Sequence, residues 1–133
     1  MSRQNVEIVR RQTEAWQRGD LETLLTFYAE DVVARVFGGP HGGAVYHGGT
    51  GVLRLVEVWI GAFTDYWIEI DDDYLDVGDH VVQLYREGGR GKRSAVSVKR
   101  DGAHVFTLRN GKIVAVDTYA DREQALEAAG LSK

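Results

Sequence analysis

A stretch near the C-terminus leaves the chain few folds to choose from. His104-Val-Phe-Thr-Leu-Arg-Asn-Gly-Lys-Ile-Val-Ala-Val-Asp-Thr-Tyr-Ala-Asp-Arg-Glu-Gln-Ala-Leu126 reads as strand, turn, strand and short helix. Asn110-Gly111 is the dipeptide that tolerates positive φ in a tight hairpin turn. The flanking runs, Val105 to Leu108 and Ile113 to Tyr119, are rich in β-formers. Asp121 with Gln124 forms a capping box for a final helix, which Gly130 ends. Along the first strand His104 shares a face with Phe106 and Leu108. A histidine on the apolar face of a sheet is a candidate pocket group.

The rest of the chain divides at Phe63. Before it, Val6, Val9, Thr13 and Trp16 recur at helical spacing, and the segment stops at Gly19. Asp20 caps a second helix, with Glu22 in its first turn and Leu21, Leu24, Leu25 and Tyr28 on its apolar side. Val32 to Phe37 reads as a short strand, and Gly38 to Gly43 as a loop dense in breakers. Thr50 is the expected cap of a third helix whose stripe is Val52, Leu55, Val56, Trp59 and Phe63. After it, Tyr66 to Ile70, Val81 to Tyr85 and Ala95 to Lys99 favour strand, ahead of the hairpin. Helices followed by a run of antiparallel strands are an α+β pattern. At 133 residues the expectation is one domain, residues 1–133, with one core.

Several function classes conflict with the composition. A net charge of -4, from 16 basic and 20 acidic residues, offers no footprint for nucleic acid. With no cysteine, thiolate metal sites and cysteine nucleophiles drop out. His41, His47, His80 and His104 lack metal-ligand spacing, and Asp71-Asp-Asp73 lacks the spacing of a calcium loop. Arg86-Glu-Gly-Gly-Arg-Gly-Lys-Arg93 fails the phosphate-loop pattern, because Arg93 stands where serine or threonine is required; it reads as a hairpin loop. No apolar run approaches the ~20 residues of a membrane span. No secretory signal is visible at Met1 to Glu7, so cytoplasmic residence is expected.

Trp16-Gln-Arg-Gly-Asp-Leu21, Tyr28-Ala-Glu-Asp-Val32, Gly78-Asp-His-Val-Val82, Asn110-Gly-Lys-Ile-Val114 and Tyr119-Ala-Asp-Arg-Glu123 together resemble the SnoaL-like, ketosteroid isomerase-like branch of the nuclear transport factor 2-like superfamily. The resemblance implies a cone, in which a strongly curved, mainly antiparallel sheet folds around a pocket closed by the N-terminal helices, a cystatin-like α+β barrel. It also implies a homodimer, for which outward residues such as Ser97, Thr107 and Asp117 suit a semi-polar interface. The superfamily holds isomerases, cyclases, epoxide hydrolases and noncatalytic binders, so fold alone does not give function.

The resemblance carries over residue by residue, and most of the chemistry is lost in transfer. The base of the ketosteroid isomerases falls on Val36, their tyrosine on Gln12 and their protonated aspartic acid on His104. A hydrocarbon relays no proton, so steroid isomerisation is not expected. The histidine of polyketide cyclases matches His104, but their aspartate matches Thr118. The arginine of limonene epoxide hydrolase-like enzymes matches Arg86, and the flanking aspartates fall on Gly88 and Thr118. His104 is then the sole acid/base candidate. Gln12, Trp16, Tyr28, Trp59, Phe63, Arg86, Phe106, Val116 and Thr118 complete the expected ligand-binding set, although Trp16, Trp59 and Phe63 read first as core and Arg86 first as a solvated cation. Hairpin register decides one further question. A two-residue type I′ turn places His104 opposite Asp117, where a dyad could form. A three-residue turn places it opposite Val116, with Thr118 on its side; the resemblance implies this second register, which puts Asp117 on the back of the sheet.

The leading expectation is a protein that holds a small, largely apolar organic molecule oriented by His104, without cofactor, metal, nucleic acid or membrane. An isomerase, cyclase-like or hydrolase enzyme using His104 is the alternative, and a noncatalytic dimeric interaction module is the third.

Overall fold

Helix α1 (Ser2–Gln17) forms where the apolar stripe predicts it, with Val9 and Ala15 fully buried. Asp20 then caps α2 (Leu21–Leu25), accepting from the Thr23 amide at 3.1 Å and the Thr23 hydroxyl at 2.7 Å. The helix is shorter than its stripe suggests. Tyr28 opens β1 (Tyr28–Phe37) instead of closing the helix, and Leu21 is exposed. Next come β2 (Val45–His47), α3 (Gly48–Gly61), β3 (Phe63–Ile70), β4 (Leu75–Val77), β5 (His80–Gly91), β6 (Ser97–Arg109), β7 (Lys112–Tyr119) and α4 (Arg122–Ala128). This computed structural model describes residues 2–39, 41–93 and 96–131. Pro40 of the glycine loop and Ala95, the expected start of a strand, lie outside the described residues.

The seven strands form a single sheet in the order β2-β1-β7-β6-β5-β3, with β4 paired to β5. Only the β1–β7 pair is parallel. The α+β class and the curved sheet closed by N-terminal helices are as expected. Register breaks between Tyr28 and Val33, between Thr64 and Trp67 and between Thr107 and Leu108 supply bends. Two local expectations fail. His47, not Thr50, is the N-cap of α3, without a side-chain bond, and Thr50 sits inside the helix. Phe63 starts β3 rather than extending α3, because the helix ends at Gly61. The segment Arg86 to Gly91 is also strand rather than loop: β5 continues through it, paired residue by residue with β6 from Arg90–Ser97 to His80–Thr107.

The hairpin has the turn of the first alternative and the facing of the second, but it pairs His104 with neither Asp117 nor Val116. Arg109 pairs with Lys112 across Asn110 and Gly111, both at positive φ (53° and 77°), so the turn is the two-residue type. The break between Thr107 and Leu108 then absorbs one extra residue of β7. Beyond it His104 pairs with Thr118, Val105 with Asp117 and Phe106 with Val116. His104, Phe106, Val116 and Thr118 therefore share the inner face, and Asp117 points outward. The outer face is partly covered by α4, whose Ala125 and Ala129 pack with Val82, Ala103, Val105 and Tyr119. Asp121 accepts from the Glu123 amide at 2.9 Å to start that helix. The inner face buries Ala34, Val81, Phe106 and Val116 against Val9, Ala15 and Val52 of α1 and α3.

Candidate functional site

Apolar side chains do not fill the space between the inner face, α1 and α3. A cavity of about 100 Å³ remains. Trp16, Leu24, Val52, Leu55, Val56, Ile60, Ile68, Ile70, Phe106 and Val116 make most of its wall. Of the residues singled out from sequence, Gln12, Trp16, Tyr28, Trp59, His104, Phe106, Val116 and Thr118 line it. Phe63 and Arg86 do not. Phe63 packs beside Tyr66, ring centres 5.7 Å apart, at the start of β3. Arg86 stands on the outer face, about half exposed, with Nε 3.4 Å from Asp101. Strand alternation gives the reason: Gln83 and Glu87 point inward, so residue 86 points out. Val36 is buried, across from Thr118 on β1, and lines a smaller neighbouring cleft rather than the cavity.

Two polar assemblies project into this apolar space. The first is neutral. Tyr28 Oη donates to Gln12 Oε1 at 2.8 Å, and Gln12 Nε2 donates to Thr13 Oγ1 at 2.7 Å. Gln83 Nε2 donates to the same hydroxyl at 2.7 Å. Gln83 Oε1 is then the acceptor for His104 Nδ1 at 2.8 Å. With the amide oriented by Thr13, the proton of His104 belongs on Nδ1 and the lone pair on Nε2. No buried side-chain nitrogen or oxygen among the described residues lacks a partner. Nε2 has no hydrogen bond of its own, so it opens onto accessible space. Burial lowers the histidine pKa to about 4, although the charge of Glu87 pulls it the other way. The ring also stacks on Tyr85, centres 4.6 Å apart. At neutral pH His104 is an uncharged acceptor with a fixed tautomer.

The second assembly is ionic, and sequence reasoning missed it. Glu87 is 1% exposed. Its Oε1 accepts from Trp59 Nε1 at 2.8 Å and Tyr66 Oη at 2.6 Å, and its Oε2 from Arg100 Nε at 2.8 Å. Burial, then the Glu87 charge, raises the Tyr66 pKa, so this phenol stays protonated and donates. The Arg100 guanidinium lies over the rings of Trp59 and Phe63, 5.1 and 5.5 Å from their centres. The signal for Glu87 was present: carrying the Val81–Tyr85 alternation two residues further puts it inside. Reading 86–93 as a loop hid it.

A hydrolase carboxylate at position 88 would not reach this site. Gly88, where the resemblance placed that carboxylate, faces the other way. A Cβ there would stand 2.5 Å from the Val98 carbonyl oxygen and 2.6 Å from the Trp67 ring. Asp117, the other candidate, binds Arg35 through both oxygens at 2.7 and 2.8 Å on the outer face. A His104-Asp117 dyad is absent. Among the described residues no group of three or more histidines and carboxylates is arranged to hold a metal ion.

Residues 9–116 match the SnoaL-like domain family. Among solved structures, an NTF2-like protein from Burkholderia thailandensis is 26% identical with a TM-score of 0.77, covering 92% of this chain and 94% of its own. Another from Burkholderia xenovorans is 25% identical with a TM-score of 0.76, covering 97% of both chains. TerC, solved with polyporic acid, is 19% identical with a TM-score of 0.75, covering 96% of this chain and 98% of its own; at that identity the likeness is one of fold alone. None of the curated proteins matches the sequence.

Proposed function

The chain belongs to the SnoaL-like domain family, and on that premise we propose that it binds one small, largely apolar organic molecule inside the sheet, with His104 Nε2 accepting a hydrogen bond from a hydroxyl or N–H of the ligand. The observation that carries this reading is the acceptor itself: a neutral imidazole, its tautomer held by Gln83, with an open Nε2 in an apolar chamber. An apolar cavity with a few convergent polar groups is the usual form of a small-molecule site. Size narrows the ligand. A cavity of about 150 Å³ in an engineered protein core takes benzene. At about 100 Å³ this one suits a single ring or a short branched chain, not a fused polycycle.

Binding is favoured over proton transfer. A general base works best with a pKa near the working pH, and burial holds His104 near 4. Glu87, the cavity's carboxylate, has both oxygens engaged by donors. Titration with phenol and with toluene, followed by amide NMR shifts, tests the proposal. His104→Leu should weaken phenol roughly five- to a hundred-fold, the value of one hydrogen bond in a dry site, and leave toluene little changed. His104→Gln should fall between. Equal phenol affinity in wild type and His104→Leu would remove His104 from the site.

A further inference from the structure

Among the described residues Arg100 uses one of its donor positions: Nε is bonded to Glu87, and none of them accepts a hydrogen bond from Nη1 or Nη2. The side chain is 25% exposed, and no buried side-chain nitrogen is left without a partner, so both terminal nitrogens reach accessible space. Arg100 also borders a second cleft of about 30 Å³, together with Thr118, Gly38 and Gly39. Trp59 and Thr118 border both this cleft and the main cavity, so the two adjoin. The guanidinium is held on three sides: by Glu87 at 2.8 Å and by the faces of Trp59 and Phe63.

Building on the ligand reading above, we infer that the ligand is an apolar carboxylate whose ring sits in the main cavity and whose carboxylate meets the Nη1/Nη2 fork of Arg100. A planar fork is matched to a carboxylate's two oxygens and positions it more sharply than a lysine would. A phosphate has the same taste for arginine, but the cleft, at about 30 Å³ against about 100 Å³ for the main cavity, favours the smaller group. Two nearby acids bear on the charge balance. Glu87 neutralises part of the Arg100 charge, so the site works by directed hydrogen bonds rather than by net field. Asp101, also at the cleft, is drawn to Arg86 at 3.4 Å and Arg122 at 4.0 Å.

Benzoate and its neutral analogue benzamide are the probes, with phenol as the control for the cavity itself. In the wild type benzoate should bind at least about tenfold tighter than benzamide, as expected of a charge-assisted pair. Glu87→Gln should tighten benzoate, because it removes the nearest negative charge and leaves the fork; a purely structural role for Arg100 predicts no gain. The Glu87→Gln/Arg100→Gln double variant leaves no unpaired buried charge, so it is the variant chosen to fold, and it should erase the preference for benzoate. Arg100→Lys should keep only a small part of it. Equal binding of benzoate and benzamide while phenol still binds overturns the carboxylate assignment and leaves the cavity reading standing. A benzoate preference that survives in the double variant overturns the role of Arg100. Failure of all three probes overturns both readings.

Discussion

Two ends of one cavity solve the same problem in opposite ways. Around Gln12, Thr13, Gln83 and His104 the polar groups are uncharged and linked by donor-to-acceptor hydrogen bonds. Around Glu87, Arg100, Trp59 and Tyr66 they centre on a buried charge. Both ends satisfy their buried atoms, as an apolar interior demands. They differ in what is left over for a ligand. The neutral chain ends in a lone pair at His104 Nε2; the ionic cluster ends in N–H groups at Arg100. The main cavity thus offers an acceptor at His104, and the cleft that adjoins it offers donors at Arg100.

The sharpest way to break this contrast is to unbalance the ionic end. Arg100→Leu leaves Glu87 buried without its cation and should cost roughly 3 kcal/mol or more. Adding Glu87→Leu should recover much of that loss, since removing both charges of a buried pair is commonly close to neutral. Urea denaturation of the two single variants and the double variant measures the coupling, and additive losses would show that the pair is not linked.

Proton linkage gives the next effect and belongs to the neutral end. The folded pKa of His104 lies near 4, against 6.5 for an ordinary histidine. Above about pH 7.5 the site is neutral in both states and contributes no slope. As the pH falls from 6.5 toward 4, the unfolded chain takes up a proton that the folded chain refuses, so stability drops. Allowing for partial access from the cavity, the loss is roughly 2–3 kcal/mol. Stability curves at pH 7 and pH 4.5 should therefore converge in His104→Gln relative to wild type; an unchanged pH dependence would mean that His104 charges freely in the fold.

A somewhat smaller effect is expected where the neutral chain is cut. Gln83→Leu strands His104 Nδ1 and removes one of the bonds to Thr13, at a cost of about 1–3 kcal/mol. The same change frees the imidazole to place its proton on either nitrogen, so ring nitrogen shifts by NMR should move from a single tautomer toward a mixture. The smallest effect lies outside the cavity. Arg35 is nearly half exposed, so Arg35→Gln should cost only about 1 kcal/mol despite its two bonds to Asp117. It should leave phenol and benzoate affinities unchanged, and altered binding would mean that the two faces of the sheet are coupled.

The α+β class, the Asp20 and Asp121 caps, the Asn110-Gly111 turn and part of the cavity wall were legible in the sequence, because each depends on neighbours a few residues away. A helical stripe such as Val9, Thr13 and Trp16 announces its buried face by spacing alone, and a positive-φ turn announces itself by residue type. Errors came where a local signal competed with a longer one. The glycines at 88, 89 and 91 look like breakers, yet pairing with β6 carries β5 through them. Thr50 looks like a cap, yet α3 begins two residues earlier.

What only the tertiary structure decided is which side chains meet. The break at Thr107 and Leu108 moves His104 from opposite Asp117 to opposite Thr118, and no residue type in the hairpin announces that single-residue slip. It sends Asp117 out to Arg35 and leaves the cavity without the dyad. The meeting of Glu87 with Trp59, Tyr66 and Arg100 joins Glu87 to positions up to 28 residues away, with the four residues on four separate elements. Their contact depends on how far two strands run and how the sheet bends over α3. Those are properties of long-range pairing, in which each strand's register is set by its partner and not by its own sequence.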